Sequence, residues 1–362
     1  MSSPEPKPGI LDIQAYVGGG HEAPGANRVI VLSANETPLG PSPKAVSAYE
    51  ALAGSLHRYP DGDSAELRAA IAERFGCDAA RIVCGNGSDE LISLLIRSYA
   101  GQGDEVLYSR HGFMMYPISA RTVGATPVAA PEANYTVDVD AILSRVTPRT
   151  RIVFIANPNN PTGSYISTDE MCRLRAGLPD DVLLAIDAAY AEYVTRNDYT
   201  SGIELVEEFD NVVMTRTFSK IFGLAALRLG WAYCPPAVAD VLNRVRGPFN
   251  VTAAAQAAGV AALADIAHTD RGLAHNDTWL PWLTEKLNGI GLTVHPSVGN
   301  FILVRFASAE AADKGYEALM AVGVIARQMG GYGLPECIRI TVGLEDENQL
   351  VVQALKNHLA GS

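Results

Sequence analysis

Short apolar runs alternate with amphipathic stretches in the first part of the chain, and this alternation limits the fold more than any other feature. Runs with the length and β-branched content of strands cover residues 81–84, 105–108, 151–156, 182–186 and 212–215. Helical patterns cover residues 89–100, 138–145 and 168–176 between several of them. This order predicts an α/β fold whose mostly parallel sheet is covered by helices on both faces. Ligands of such sheets bind beyond the carboxyl ends of the strands.

The segments on either side of this pattern differ from it. Residues 1–42 are rich in Pro and Gly apart from an apolar run at 29–32, and they predict an arm that includes part of a small domain. Residues 65–75 predict an amphipathic helix, with Ser64 as its N-cap and Gly76 at its end.

After Pro248 the pattern changes again. An Ala-rich helical pattern over residues 253–287 leads to strand-like runs at 293–295, 301–306 and 338–342, and to a last helix near 347–359. We therefore predict a large domain over residues 43–248 and a smaller C-terminal α+β domain over residues 249–362.

Charge and cysteine content exclude several classes of protein. The formal net charge is −12, from 28 Lys and Arg against 40 Asp and Glu, which argues against a nucleic acid or an anionic membrane as partner. The five cysteines are scattered without a C-x-x-C pair, which favours reduced thiols and no metal site. No signal peptide or membrane helix is expected, because no apolar stretch approaches the roughly 18 residues that a span requires. We expect a soluble, cytoplasmic protein.

Lys220 ends the segment T-R-T-F-S-K, which follows an apolar run. Taken alone, a lysine in this position is most often a solvated surface charge. Three other predicted strand ends, however, carry the side chains that a pyridoxal 5′-phosphate site requires. Lys220 is therefore a candidate for the Schiff base to that cofactor.

The first of these strand ends is Asp187, which closes the run 182–186. A carboxylate at the end of a buried strand is costly unless it is paired. Beside the pyridine nitrogen of the cofactor it would keep the ring protonated as an electron sink, and Tyr190 could hydrogen-bond the ring oxygen. The alternative for Asp187 is a helix cap or a turn.

The second and third strand ends lead into loops. N-P-N-N-P-T-G at 157–163 is turn chemistry, but Asn160 also offers an amide donor to the ring oxygen. G-N-G-S-D-E at 85–90 would expose backbone N–H groups at a helix start, as a phosphate site requires. Glu90 replaces the third glycine of a dinucleotide loop, which argues against that motif. Arg228 would complete the phosphate site or is a surface arginine.

Together, N-P-N-N-P-T-G, I-D-A-A-Y at 186–190, T-F-S-K and L-R-L-G-W at 227–231 resemble the fold-type I pyridoxal phosphate-dependent aminotransferases. The likeness extends from S-A-N-E-T-P-L-G at 33–40 to I-R-I-T-V-G at 338–343, and the order of the motifs is most similar to the histidinol-phosphate aminotransferases. The resemblance implies an aspartate aminotransferase-like fold. Its large domain would contain a mostly parallel seven-stranded sheet between helices, beside a smaller α+β domain.

The resemblance also implies roles for the cofactor site. Lys220 would carry the cofactor and move the substrate proton, with Asp187 on the pyridine nitrogen and Tyr190 on the ring oxygen as the other catalytic residues. The remaining cofactor-binding residues would be Asn160 at the ring oxygen, Phe113 stacked on the ring, and Gly87, Ser88, Asp89, Ser219 and Arg228 around the phosphate. Core packing is the alternative for Phe113.

On the substrate side, the resemblance implies that Tyr16, Arg327 and Arg339 bind the phosphate of the substrate. It also implies that Asn35 belongs to the substrate-side loop of the small domain. It also implies a homodimer in which Tyr59 reaches the cofactor of the neighbouring subunit. His111 departs from the family, which often has P-T-F or P-T-Y where this chain has R-H-G-F, and we expect it to be structural rather than catalytic.

The expected reaction is transamination between L-histidinol phosphate and 2-oxoglutarate, giving imidazole acetol phosphate and glutamate. Two arginines suit a phosphate, because their forked donors pair its oxygens. One arginine would serve an α-carboxylate equally well, so an aromatic amino acid aminotransferase is the alternative. A lyase or decarboxylase of the same fold would share Lys220 and Asp187, and a cofactor-binding regulatory module is not expected.

Overall fold

The computed structural model describes residues 4–15, 18, 20, 22–23, 25 and 28–361 of the 362-residue chain. Its strands are β1 (Ile30–Val31), β2 (Ile82–Gly85), β3 (Glu105–Ser109), β4 (Thr126–Ala130), β5 (Glu132–Ala133), β6 (Thr136–Val137), β7 (Thr150–Ala156), β8 (Leu183–Asp187), β9 (Val212–Thr217), β10 (Gly230–Tyr233), β11 (Thr293–His295), β12 (Phe301–Arg305), β13 (Val324–Ile325), β14 (Arg327–Gln328) and β15 (Cys337–Thr341). Its helices are α1 (Pro43–Glu50), α2 (Ala65–Phe75), α3 (Ser88–Tyr99), α4 (Met115–Thr122), α5 (Val139–Ser144), α6 (Thr168–Gly177), α7 (Ile203–Glu208), α8 (Pro236–Val245), α9 (Ala253–Leu263), α10 (Ile266–Gly289), α11 (Ala309–Ala321) and α12 (Glu345–Ala360).

The larger sheet of the described chain has seven strands in the order β2-β10-β9-β8-β7-β3-β4. All neighbours run parallel except β10, which is antiparallel to both β2 and β9. The predicted α/β fold with a mostly parallel sheet is confirmed. Strands β4 and β10 of this sheet had no counterpart among the predicted strands.

Strand β7 shows why this sheet is covered on both faces. Its side chains alternate between two apolar cores, with Val153 and Ile155 in one and Ile152 and Phe154 in the other. Helices α2, α6 and α9 contribute to the first core, and α3, α4 and α8 contribute to the second. Each of the four β7 side chains is almost fully buried, which stabilises the fold by about 2 kcal/mol per side chain.

The smaller sheet is antiparallel, in the order β11-β12-β15-β14. Helices α10, α11 and α12 pack on it through a third apolar core that includes Leu283, Leu319 and Val351. Strand β1 pairs in parallel with β13, so Ile30 and Leu32 of the N-terminal segment join this core. The domain bounds at 42/43 and 248/249 stay predictions.

Two details of the helices differ from expectation. Helix α2 begins after Ser64, but the Ser64 side chain makes no capping bond; the carboxylate of Asp61 accepts the Ala65 N–H at 2.7 Å instead. The helical pattern over 253–287 forms two helices, α9 and α10, which are interrupted at Ala264 and Asp265. The Asp265 carboxylate accepts a hydrogen bond from Ser42 Oγ at 2.5 Å, which ties this break to the start of α1.

The five cysteines are free thiols. Within the described ranges, no helix combines the length and the apolar content needed to cross a membrane. The same ranges bring together no group of three or more His, Cys, Asp or Glu side chains that could hold a metal ion.

Candidate active site

A cavity of about 450 Å³ lies at the carboxyl ends of β7, β8 and β9. Its wall combines these strand ends with the start of α3 and with side chains of the smaller sheet. The predicted site residues that line it are Asn35, Ser88, Asp89, Phe113, Asn160, Asp187, Tyr190, Ser219, Lys220, Arg228, Arg327 and Arg339. The fold therefore brings the predicted cofactor residues and the predicted substrate residues to one place.

Lys220 follows the end of β9 and is half-buried in the cavity wall. Its Nζ donates to the carbonyl oxygen of Ala34 at 2.8 Å and lies 5.7 Å from the ring centroid of Tyr190. Burial, together with the charge of Arg339, lowers the pKa of Lys220 to about 8. A lysine with a lowered pKa is more often neutral near physiological pH, which is the form that attacks a carbonyl carbon.

Asp187 is the last residue of β8, and only 5% of its surface is exposed. Tyr116 donates its hydroxyl to Asp187 Oδ2 at 2.7 Å, and Thr215 Oγ1 lies 3.5 Å from Oδ1. Burial raises the pKa of Asp187 to about 6. A buried carboxylate with neutral hydrogen-bond donors gains from a cationic ligand, such as a protonated pyridine ring.

The start of α3 provides a site for an anion. Gly87 has φ +81° and precedes the first turn of the helix, where backbone N–H groups are free of helical partners. The Arg228 guanidinium lies so close to Gly87 that a Cβ there would overlap Nη2. Arg228 Nη1 also donates to Ser219 Oγ at 3.2 Å. The helix start, the guanidinium and the hydroxyl groups converge as a phosphate requires.

Gly230 and Asp89 also contribute to the structure of this anion site. A Cβ on Gly230 of β10 would overlap the backbone nitrogen of Ser88, so only glycine lets the strand pass beneath the loop. Asp89 forms an ion pair with Arg228, with Nη2 and Oδ2 3.1 Å apart. The structure thus places Asp89 at the cavity edge as a partner of the arginine.

Asn160 and Tyr190 line the same cavity as Lys220, and each accepts a hydrogen bond from another side chain of the lining. Asn160 Oδ1 accepts from Arg339 Nη1, so the amide nitrogen is the group that Asn160 can offer to a ligand. Tyr190 accepts from Asn35 Nδ2 at 2.8 Å, and burial raises the pKa of this phenol well above its usual value. Both residues can therefore donate a hydrogen to a ring oxygen.

Arg327 and Arg339 form a cross-strand pair on the smaller sheet. They are direct partners in the register of β14 and β15, so their side chains project from the same face, and both line the cavity. Arg339 is 6% exposed, and its Nη2 donates to the carbonyl oxygen of Ser33 at 2.5 Å. Two guanidinium groups on one face of a cavity bind an anionic group.

Asn35 connects the two sides of the cavity. It has a positive φ of 57° and is 1% exposed. Its backbone N–H donates to Thr341 Oγ1 at 3.0 Å, while its amide nitrogen donates to Tyr190. The predicted substrate-side loop is therefore hydrogen-bonded both to β15 and to the cofactor side.

The remaining predicted residues lie elsewhere. Tyr59 is 83% exposed, is stacked on Phe249 with ring centroids 4.7 Å apart, and does not line this cavity. Its contact with a neighbouring subunit stays a prediction. Tyr16 lies outside the described residues. His111 is buried behind the cavity against Glu132, as the expectation of a structural role requires.

Tyr116 and the backbone of Ala34 are parts of the site that were not predicted from the sequence. Tyr116 is fully buried and holds Asp187, which is 71 residues away in the chain. Ala34 accepts from Lys220 across 186 residues. No local motif encodes either contact, although Tyr116 follows closely on the predicted ring-stacking residue Phe113.

These residues fit pyridoxal 5′-phosphate. The buried Asp187 matches the pyridine nitrogen, the start of α3 with Arg228 matches the phosphate, and Lys220 lines the same cavity. The fit depends on the chemistry of the donors in the cavity and on the close approach of Gly230 to the backbone of Ser88, which requires glycine.

Comparison with known proteins places this site in a family. Residues 27–355 match the family described as aminotransferase class I and II. The chain is 61% identical to the histidinol-phosphate aminotransferase of Rhodospirillum centenum over 362 residues, with 100% of both chains covered. It is 60% identical to the histidinol-phosphate aminotransferase of Paramagnetospirillum magneticum, with 98% of this chain and 99% of that one covered.

A solved structure agrees with these sequence relatives. The crystal structure of histidinol-phosphate aminotransferase from Sinorhizobium meliloti, in complex with pyridoxal-5′-phosphate, superimposes with a TM-score of 0.92. It is 28% identical in sequence, and 99% of each chain is covered. The likeness in fold thus extends over both sheets.

Proposed function

The chain belongs to the class I and II aminotransferases, and we propose that it transfers the amino group of L-histidinol phosphate to 2-oxoglutarate, giving imidazole acetol phosphate and glutamate. It is a pyridoxal phosphate-dependent enzyme. The observation that carries the proposed substrate is the pair Arg327 and Arg339, which faces the same cavity as Lys220.

Bound pyridoxal 5′-phosphate supplies an electron sink for the charge that is left when the α-proton of the substrate is removed. Lys220 would carry this cofactor through Nζ and then move the proton from the substrate Cα with the same nitrogen. The lowered pKa of about 8 suits this work, because a general base acts best when its pKa lies near the working pH. The Asp187 carboxylate would hold a proton on the ring nitrogen.

Other residues would orient the ring without moving protons. The amide nitrogen of Asn160 and the hydroxyl of Tyr190 would donate to the ring oxygen, and Phe113 would cover one face of the ring. Gly87, Ser88, Asp89, Ser219 and Arg228 would form the phosphate end of the site. Fixing both ends of the ring would hold the cofactor in one orientation relative to Lys220, and such positioning supplies part of the rate enhancement.

The substrate side would bind an anionic group in both half-reactions. Arg327 and Arg339 would pair with the phosphate of histidinol phosphate in one half and with a carboxylate of glutamate in the other, with Asn35 at the border of the two sites. Tyr16 stays a predicted member of this group. Histidinol phosphate lacks a carboxylate, so the arginine pair is the group that accounts for its recognition.

We also propose that the protein is a homodimer in the cytoplasm. The exposed aromatic stack of Tyr59 on Phe249 supports a contact there, in which Tyr59 would reach the cofactor of the second subunit. The free thiols of the five cysteines support a reducing compartment. Sedimentation velocity of the protein and of Tyr59→Ala would test the dimer; a monomeric wild-type protein would contradict it.

The substrate is tested by separate half-reactions. Enzyme loaded with pyridoxamine 5′-phosphate is offered imidazole acetol phosphate, phenylpyruvate or 4-hydroxyphenylpyruvate, and kcat/KM is measured for each. We expect imidazole acetol phosphate to be preferred by about ten-fold, because a phosphate can pair with both arginines whereas an α-carboxylate needs only one. A preference for either aromatic oxo acid would contradict the proposed substrate and support an aromatic amino acid aminotransferase.

A further inference from the structure

One buried carboxylate behind the cavity holds the turn that follows β3. The side chain of Glu132 is 2% exposed. Its Oε1 accepts from Ser109 Oγ at 2.5 Å and from the backbone N–H of His111 at 3.0 Å. Its Oε2 lies 2.8 Å from His111 Nδ1, which donates to it. Burial raises the pKa of Glu132, but the bonds from His111 and Ser109 outweigh burial and hold this pKa below its usual value.

The turn held by Glu132 brings Phe113 to the cavity. The N–H of Gly112 donates to the carbonyl oxygen of Ser109 at 2.7 Å, and a Cβ on Gly112 would lie 2.9 Å from that oxygen. The Phe113 ring lines the cavity and meets the Tyr116 ring edge-on, with centroids 6.0 Å apart. A shift of this turn would therefore move the side chain at the ring face of the cofactor and press on the tyrosine that holds Asp187.

A second connection leads from the same turn to the loop after β7. The carbonyl oxygen of His111 accepts from Asn159 Nδ2 at 3.4 Å. Asn159 also anchors its own loop, since its N–H donates to Ser164 O at 2.7 Å. Asn159 directly precedes Asn160, so the position of the Asn160 side-chain amide in the cavity depends on the turn at His111.

We propose that Glu132 and His111 are positioning residues, which hold Phe113 and Asn160 against the cofactor ring without touching the reacting atoms. Neither residue lines the cavity, so any effect on the reaction passes through the turn and the loop. A buried carboxylate that accepts three hydrogen bonds gives a stiffer support than a neutral group would, because charge-assisted bonds are shorter and stronger. The inference rests on the proposed function only for the place of the cofactor in the cavity.

Strand β3, whose last residue Ser109 donates to Glu132, offers a matched control at its first residue. Glu105, the first residue of β3, is 5% exposed. It accepts from Thr147 Oγ1 at 2.6 Å and from Arg149 Nη2 at 2.5 Å. Like Glu132, Glu105 accepts from a hydroxyl and from a basic side chain, and it does not line the cavity. Replacing either carboxylate by an amide should cost similar stability, whereas only one replacement should disturb the cofactor.

The test compares Glu132→Gln with Glu105→Gln in the loaded enzyme. The measurements are the visible circular dichroism of bound pyridoxal 5′-phosphate, its dissociation constant, the Tm, and kcat and KM with glutamate. Glu132→Gln should lower kcat about ten-fold, weaken cofactor binding about three-fold and alter the dichroism, with KM changed less than about two-fold. Glu105→Gln should leave kcat, binding and dichroism within about two-fold of wild type while lowering the Tm. Equal losses of kcat in both variants, or an unchanged kcat and dichroism in Glu132→Gln, would overturn the proposal.

If Glu132→Gln does not fold, Ser109→Ala is the second variant that tests the proposal. It removes one of the three donors and keeps the carboxylate, so the same changes should appear at about two- to three-fold in kcat. Wild-type kcat and dichroism in that variant would speak against the positioning role. All these readouts use only the cofactor and glutamate. A wild-type enzyme that rejects imidazole acetol phosphate would therefore contradict the proposed substrate and leave this inference standing.

Discussion

The two sides of the cavity are built on different principles. On the cofactor side, Asp187 and Lys220 follow the carboxyl ends of adjacent parallel strands, β8 and β9, and α3 begins at the end of β2. On the substrate side, Arg327 and Arg339 come from an antiparallel sheet. Of the two, Arg339 donates to the cofactor-side amide of Asn160 and to the carbonyl oxygen of Ser33.

This difference explains what each side determines. The direction of a parallel sheet puts every loop after a strand at the same edge, so the cofactor residues converge wherever the sheet forms. The arginine pair needs the smaller sheet to be packed in one position against the larger one. A guanidinium also binds phosphate and carboxylate groups alike. We therefore expect the first side to define the chemistry and the second side to select the substrate.

The largest effect should follow from removing Lys220. Lys220→Ala should reduce kcat by about 10⁴-fold or more, because one nitrogen both carries the cofactor and moves the proton. The cofactor should still bind non-covalently through the phosphate end of the site, which absorbance after gel filtration would show. Activity within ten-fold of wild type would mean that Lys220 is not the catalytic lysine.

On the same side of the cavity, replacing Asp187 should lower activity and raise the stability of the cofactor-free protein. Asp187→Asn should lower kcat by about 10²- to 10³-fold, since an amide does not stabilise a charged ring nitrogen. Burial raises the pKa of Asp187 from 3.8 to about 6, so the folded cofactor-free protein loses stability as pH rises through that range. Asp187→Asn has no such loss, and the cofactor-free variant should be more stable than wild type at pH 8 by roughly 2–3 kcal/mol.

Urea unfolding of both cofactor-free proteins at pH 4 and pH 8 measures this difference. The advantage of Asp187→Asn should be present at pH 8 and nearly absent at pH 4, where the wild-type carboxyl is protonated. A constant difference at both pH values would show that the buried charge is not its cause.

On the substrate side, Arg339→Ala should raise KM for both substrates and lower kcat/KM by about 100-fold, because both use the same arginine pair. Arg305→Ala is the matched control. Arg305 lies at the end of the neighbouring strand β12 with its side chain 52% exposed, and it does not line the cavity. If Arg339→Ala impaired only the half-reaction of histidinol phosphate, the two substrates would use different anion sites.

The sequence predicted most of the cofactor side because its signals are local. β7 and β8 are continuous apolar runs, as strands buried on both faces must be, and Asp187 ends one of them. β10 was missed because it is four residues long and begins with Gly230, while β4 at the sheet edge has exposed residues and a proline. Short edge or antiparallel strands give little periodicity to detect.

The substrate side was predictable only through the resemblance to a family. Arg339 donates to the backbone of Ser33 across 306 residues and to Asn160 across 179 residues. Such contacts depend on tertiary packing, and no spacing in the sequence encodes them. The same holds for Tyr116, which holds Asp187 across 71 residues, and for Glu132, which holds Ser109 and His111 across 23 and 21 residues.

The smallest effect should come from the hydrogen bond that joins the two sides. Tyr190→Phe removes the hydroxyl that accepts from Asn35 and that would donate to the cofactor ring, so kcat should fall about ten-fold with little change in KM. Tyr193→Phe is the control, since Tyr193 is equally buried and hydrogen-bonds Thr37 and Asn300 outside the cavity lining. It should lower the Tm and leave kcat within about two-fold. A ten-fold rise of KM in Tyr190→Phe, with kcat unchanged, would place this hydroxyl on the substrate side instead, and the two sides would then share a catalytic contact as well as a wall.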